Sequence, residues 1–270
     1  MTDKHGKSLI VFLSPAGTTR RAARVIAETL EARGRPVSLL DMARTRSDME
    51  AAISGLDPGD CLWVGSPVYA NRALPPVLDF IDRLSGIGGV CAVPLHDLAL
   101  PLREKGFRLL GGAKVMALHS MMWSCEDPLG GGRPNEEDEA EIRRLTGRVL
   151  EKMDAGTDAG LTAEDLNYQS PERQALFHTR SLKKTKAMMP PMVLDPEACT
   201  SCGLCVDGCP TNNITLEPVL GLGTDCLLCC NCVRLCHEGA IRNDVFQVIE
   251  GRIRAFAADY DEPAVTRIFS

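Results

Sequence analysis

Two cysteine runs of identical spacing constrain this chain more than any other feature: Cys199-x2-Cys202-x2-Cys205-x3-Cys209 and Cys226-x2-Cys229-x2-Cys232-x3-Cys236. Together they place eight of its twelve cysteines. Steps of three put three thiolates around one tight loop, where they can cap a face of an iron-sulfur cube. The fourth cysteine of such a run enters a helix and ligates the other cube. The spacing therefore predicts two [4Fe-4S] clusters, one on Cys199, Cys202, Cys205 and Cys236, the second on Cys226, Cys229, Cys232 and Cys209. A structural zinc ion needs only four ligands from two Cys-x2-Cys knuckles, and a third cysteine at the next step would crowd it. Disulfides need an oxidising compartment, whereas the polar start Met1 to Gly6 precedes an apolar run at Leu9 with no signal segment between them.

Charge divides the chain. Residues 191–270 carry five arginines, no lysine and 11 acids, which accounts for the whole formal charge of -6, and the rest is neutral. An acidic cysteine-rich part argues for a protein partner with a basic docking surface and against nucleic acid. No apolar segment is long enough for a membrane span. Oxygen-sensitive metal sites fit a reducing cytoplasm.

The N-terminal half reads as alternating strand and helix. An apolar run from Leu9 to Leu13 leads into Ser14-Pro15-Ala16-Gly17-Thr18-Thr19 and then into helical spacing at Ala22, Val25, Ile26 and Leu30. Small residues in such a turn admit an anion to backbone N-H groups, hydroxyls can donate to it, and the helix N-terminus favours its charge. The turn lacks the Gly-Lys-Ser/Thr of a Walker loop and the Gly-x-Gly-x-x-Gly of a dinucleotide fold. Further strands are predicted at Val37 to Leu40, Cys61 to Val64, Val90 to Val93 and Lys114 to Leu118. Helices are expected near Leu74 to Leu84, Leu98 to Lys105 and Glu136 to Met153. The expected fold class is α/β: a doubly wound, five-stranded parallel sheet in the order 2-1-3-4-5, followed by a small α+β cluster domain.

On these residues the chain resembles known families. Residues 192 to 245 are similar to the bacterial two-cluster ferredoxins, with two departures: His237 replaces the proline found in the first run as Pro210, and Cys230 is a ninth cysteine, either a competing ligand or a buried small side chain. Ile10 through Thr19, continuing to Ala23 and Ile26, resembles the flavodoxin phosphate loop. That likeness implies FMN, with its phosphate held at Ser14, Ala16, Gly17, Thr18 and Thr19. Gly65 to Arg72 resembles the second flavin loop, so that Tyr69 would lie against the flavin ring and Ser66, Pro67, Val68 and Asn71 would meet its polar edge. The third loop, Val93-Pro94-Leu95-His96-Asp97, is shortened. Leu118 to Met121, where His119 and Ser120 would flank the flavin face, and Gly132 to Asn135 are similar to the flavodoxin-ferredoxin fusion proteins of anaerobic prokaryotes. The resemblance implies electron transfer between FMN and two clusters to a redox partner. Two alternatives stay open: a ferredoxin-type carrier whose flavodoxin-like half is a flavin-free docking scaffold, and a flavin and iron-sulfur oxidoreductase acting on a small molecule or a metalloprotein. No acid, base or nucleophile constellation marks a catalytic residue.

The expected boundaries are a flavodoxin-like domain at 1–155, a linker at 156–190, a two-cluster domain at 191–245 and a helical tail at 246–270. Within the linker Arg173, Arg180, Lys183, Lys184 and Lys186 form a basic run, a solvated face or a clamp on the acidic domain. Asn135 and Asp138 are expected to cap the helix that follows them. Cys61 and Cys91 fall in predicted strands as core residues, and Cys125 sits in a loop near the flavin end.

Overall fold

The structure is a computed structural model that describes residues 6–44, 49–84, 90–94, 98–156, 160–162, 164–167, 169–243, 245–259 and 265–270. The expected third loop at Leu95 to Asp97, linker residues 157–159 and the polar start through His5 lie outside the described residues. The first module runs β1 (Ser8–Phe12), α1 (Thr18–Ala32), β2 (Val37–Asp41), α2 (Met49–Ser54), β3 (Cys61–Gly65), β4 (Val68–Tyr69), β5 (Arg72–Ala73), α3 (Pro75–Arg83), β6 (Cys91–Pro94), α4 (Ala99–Glu104), β7 (Arg108–Leu109), β8 (Gly112–Lys114) and α5 (Glu136–Asp154). Its main sheet has the order β2-β1-β3-β6-β7, with every neighbouring pair parallel. Ranked along the chain this is 2-1-3-4-5, the flavodoxin-like doubly wound order.

Strand alternation builds a core on each side of that sheet. Leu9, Val11, Leu62 and Val64 enter one core with Val77, Phe80 and Ile81 of α3 and Leu102 of α4. Their sequence neighbours Ile10, Phe12, Cys61 and Trp63 enter the other, with Ala27 and Leu30 of α1 and Leu145 and Val149 of α5. A strand covered on both faces is apolar nearly throughout, and all five residues of β1 are buried, the one polar residue, Ser8, accepting from Trp63 Nε1. Asn135 caps α5 reciprocally with Asp138. The Asp138 carboxylate is 1% exposed and also accepts from the Arg133 guanidinium and the Thr266 hydroxyl, each at 2.6 Å.

The fifth strand departs from expectation. It is Arg108–Leu109, and of the predicted Lys114 to Leu118 run only Lys114 is strand, in β8. Gly111 marks the divergence: a Cβ there would stand 2.8 Å from Leu145 Cδ1 and 3.1 Å from the Phe269 carbonyl oxygen. The chain therefore crosses over α5 at this point and leaves the parallel sheet.

The expected plain linker is also structured. Leu161 and Leu166 join the α3/α4-side core, and two short helices follow, α6 (Pro171–His178) and α7 (Leu182–Met188), capped by the Ser170 and Ser181 hydroxyls. Next comes a cysteine module of β9 (Val193–Leu194), α8 (Leu204–Asp207), β10 (Ile214–Thr215), β11 (Gly221–Leu222), α9 (Asn231–Leu235) and β12 (Ile241–Arg242). It pairs β9 with β12 and β10 with β11, both antiparallel. The last segment is helical only as far as α10 (Val245–Ala258). It closes with β13 (Arg267–Phe269), antiparallel to β8. Ile268 and Phe269 pack on opposite cores of the first module, too short a period for sequence alone to register.

Candidate iron-sulfur centres

The two cysteine runs share sequence spacing and backbone conformation alike. Ser201 (φ 55°) is matched by Leu228 (φ 56°), Gly203 (φ 81°) by Cys230 (φ 55°), and Asn212 (φ 51°) by Gly239 (φ 65°). Each run then starts a short helix one residue before its third cysteine and ends in a strand that begins at Ile214 or Ile241. Left-handed residues fold the loop around a common centre. They also turn successive N-H groups inward, a backbone arrangement suited to an anionic centre.

The eight thiols sort into two sets. One cavity is lined by Cys226, Cys229 and Cys232 together with Cys209 of the first run, and Cys230 also stands in its wall. A second is lined by Cys199, Cys202 and Cys205 together with Cys236 of the second run. All eight are free thiols. Contact between α8 and α9 makes the exchange possible, because each helix carries the third cysteine of its run and delivers the fourth at its end. Among the described residues no three His, Cys, Asp or Glu gather closely enough to hold a single metal ion. Four thiols spaced around a cavity suit instead the four iron corners of a cube.

Hydrogen bonds and burial condition the sulfurs. Asn213 N-H donates to Cys209 Sγ at 3.2 Å and Leu228 N-H to Cys226 Sγ at 3.4 Å, contacts of the kind that stabilise negative charge on sulfur. Burial pushes the Cys229 thiol up to about 11 and the Cys232 thiol up to about 12, with neighbouring cysteines adding to it. Any metal bound by these thiols would have to displace protons held by a low-dielectric surround.

The two cavities differ in exposure. Cys202 and Leu204 at the first-run centre are exposed, so this centre is termed outer. Cys229 and Cys232 at the other are buried. Beside them Leu227 joins the same core cluster as Leu74, Tyr69 and Leu182 of the α/β side. Lys186 Nζ donates to the Thr224 carbonyl at 3.1 Å, so one member of the basic run does clamp the inner loop.

Cys230 occupies the place of Gly203 and is 1% exposed. Its thiol contacts the Leu228 carbonyl oxygen at 3.7 Å, and burial raises its pKa. Since a left-handed conformation costs a side-chain-bearing residue roughly 1–2 kcal/mol, Cys230→Gly is expected to leave about eight irons per chain and to lose little stability. Loss of half the iron in that variant would make Cys230 a ligand.

The expected phosphate loop lies at the carboxyl end of β1, next to β3, the switch point of the sheet. Gly17 caps α1 at φ 87° and has no side chain to offer the helix N-terminus. Ser14 is buried, its Oγ accepting from Arg20 N-H at 2.9 Å. The Arg20 guanidinium is turned to Asp41 at 2.6 Å. Thr19 packs so close to β3 that a Cβ on Gly65 would meet its Cγ2 at 3.0 Å. Ala16, Gly17, Thr18 and Thr19 are half-buried around this turn, an arrangement that fits a phosphate.

The expected ring site is built differently from the expectation. Val68–Tyr69 and Arg72–Ala73 form a hairpin closed by Ala70 and Asn71, both at positive φ, as a primed turn requires. Ser66 Oγ accepts from Leu74 N-H and donates to the Pro67 carbonyl, spending its hydrogen bonds on the loop itself. Val68 is exposed, while the Tyr69 ring packs into the core cluster that includes Leu227. Its hydroxyl is buried beside Ser120, outside good hydrogen-bonding geometry. Burial and the nearby Cys229 sulfur raise its pKa. Thus Tyr69 faces the inner cysteine loop. His119 is half-buried, with burial lowering its pKa, and its Nδ1 accepts from Met121 N-H at 3.4 Å. The Cys125 thiol is raised by burial and by Glu250 of α10, which disfavours a reactive thiolate.

Residues 192–215 match the family model of the 4Fe-4S binding domain. No curated protein matches the chain. Solved structures similar to it include the rubredoxin oxygen:oxidoreductase of the anaerobe Desulfovibrio gigas, 22% identical over 57% of this chain and 37% of that one, with a TM-score of 0.44. A flavodoxin from the domain Archaea is 18% identical over 55% of this chain and 99% of its own, with a TM-score of 0.40. Oxidised flavodoxin 2 of Bacillus cereus is 21% identical over 54% and 99%, also with a TM-score of 0.40. The chain thus carries a 4Fe-4S binding domain beside a flavodoxin-like parallel α/β module, and no helix among its described residues is long and apolar enough to cross a membrane.

Proposed function

We propose that this protein is a cytoplasmic electron-transfer protein that holds two [4Fe-4S] clusters and hands electrons to a protein partner with a basic docking surface. One observation carries the reading: two cysteine-lined cavities, each holding the first three spaced thiols of one run and the fourth of the other, with Cys230 a further cysteine in the wall of the inner one. A bound [4Fe-4S] cluster supplies one-electron exchange. What the chain contributes is thiol placement, N-H donation to sulfur and exclusion of water from the inner centre. The exposed Cys202 and Leu204, with exposed Glu197 close in the sequence and exposed Glu238 lining the same cavity, form the face offered to the partner.

In this reading FMN belongs to the α/β module, with its phosphate at Ser14, Ala16, Gly17, Thr18 and Thr19 and its ring near Ser66, Pro67, Val68, Tyr69 and Asn71. The position of the Ser14–Thr19 turn, at the carboxyl end of β1 and the N-terminus of α1, supports the phosphate half. The packing of Tyr69 against the cluster containing Leu227 favours a second reading, in which the α/β module is a flavin-free platform that seats the inner centre. Neither reading uses a general acid, base or nucleophile.

Anaerobic purification followed by acid release separates the two. The flavin reading expects about one FMN per chain, and Tyr69→Ala should then weaken its retention by about 0.5–1.5 kcal/mol, the worth of one aromatic partner. Brown protein that releases no flavin establishes the platform, and colourless protein removes both readings.

A further inference from the structure

The two runs keep the same cysteine spacing, and among the positions where they differ one reverses charge. Asp207, in Cys205-Val206-Asp207-Gly208-Cys209, is answered by Arg234, in Cys232-Val233-Arg234-Leu235-Cys236. Asp207 is exposed. Arg234 instead lies at the seam between the modules, its Cζ 5.8 Å from the centre of the Trp123 ring. Its Nη1 is wholly buried and, among the described residues, has no hydrogen-bond partner. The guanidinium is near enough for its charge to act on both the Cys230 thiol and the Tyr69 hydroxyl. A desolvated cation is costly unless an anion answers it. Four thiolates around a cube make an anionic centre, and Cys229 and Cys232, on either side of Cys230, belong to the inner one.

We propose that Arg234 is a positioning residue that sets the reduction potential of the inner centre, on Cys209, Cys226, Cys229 and Cys232, above that of the outer centre. The inference rests on the two-cluster reading. Reduction adds one negative charge to a centre, and a fixed buried cation nearby favours that added charge. Asp207 offers no such help at the outer run, where solvent screens it. The two cages already differ in exposure, and this charge sets them further apart, so that a single electron rests at the seam with the α/β module. A role in packing alone, through Trp123, would leave the inner potential unchanged when the charge is removed.

The test is a reductive titration of the full chain with dithionite under anaerobic conditions, followed by low-temperature EPR. The wild type is expected to show two unequal one-electron potentials at about eight irons per chain. Arg234→Gln should lower the higher potential by about tenfold in its reduction equilibrium, about 59 mV, and leave the lower one in place. Arg234→Lys keeps the charge and should keep the wild-type potentials. Unchanged potentials in Arg234→Gln, or an equal fall of both, would overturn the role given to Arg234. If the Gln variant loses iron, the Lys variant decides: retained potentials support the charge account and displaced ones refute it. About four irons in the wild type would instead remove the two-cluster reading, and this inference with it.

Discussion

Cys209→Ser and Cys236→Ser are each expected to damage the centre belonging to the other run. Cys209 lies in the first run yet lines the cavity of Cys226, Cys229 and Cys232, and Cys236 lies in the second yet lines that of Cys199, Cys202 and Cys205. Anaerobically prepared Cys209→Ser protein should therefore lose the inner EPR signal and fall from about eight to about four irons per chain, matching Cys229→Ser. Cys236→Ser should pair in the same way with Cys199→Ser. Were Cys209→Ser to share its spectrum with Cys199→Ser instead, the runs would ligate without exchange and the account of α8 and α9 would be wrong. The effect should be large because the cysteine module is small and its core is partly made of ligands: Cys205 and Cys232 stand beside Ile214, Leu220, Ala240 and Ile241. A domain of this size draws much of its folding free energy from bound metal. Loss of one centre is expected to open the module to protease while the parallel sheet stays folded.

Trp63→Ala should be the most damaging change in the α/β module. Trp63 is 1% exposed on the central strand β3, and its Nε1 donates to Ser8 Oγ on β1 at 3.2 Å. Truncating a buried tryptophan costs about 3–5 kcal/mol through lost transfer energy and the cavity left behind, a large share of the 5–15 kcal/mol typical of a domain. Urea unfolding followed by circular dichroism would show the midpoint falling with the slope preserved. Trp63→Phe keeps most of the volume, and the loss there should be near 1 kcal/mol for the hydrogen bond. A Trp63→Ala midpoint within error of wild type would place β3 outside the cooperative core.

Much of this architecture is readable in the residues, for physical reasons that also explain what is not. β1 and β3 each carry four consecutive apolar residues because both faces of each are covered, and such runs stand out. The cysteine spacing carries the turn geometry of each loop, so both cages can be drawn before any coordinates. The fifth strand eluded the same reasoning, since Arg108–Leu109 is two residues long and the stronger apolar run at Val115 to Leu118 drew the assignment. β13 is only three residues long, and its pairing with β8 spans more than half of the chain. The role of Leu227 as a plug in the neighbouring core depends on a contact between modules that no local pattern encodes. Arg234 left a faint trace, the Asp-to-Arg exchange between the aligned runs, but charge at one position has no meaning until its surroundings are known. For the expected flavin loops, the Ser14 to Thr19 turn sits where the fold class puts it, whereas Tyr69 turned out to be committed to the seam.

The most direct measurement is a determination of iron, acid-labile sulfide and zinc in protein purified and kept without oxygen. The account predicts about eight irons and about eight sulfides per chain, with negligible zinc. About four irons would contradict the second cage, and zinc without sulfide would contradict both.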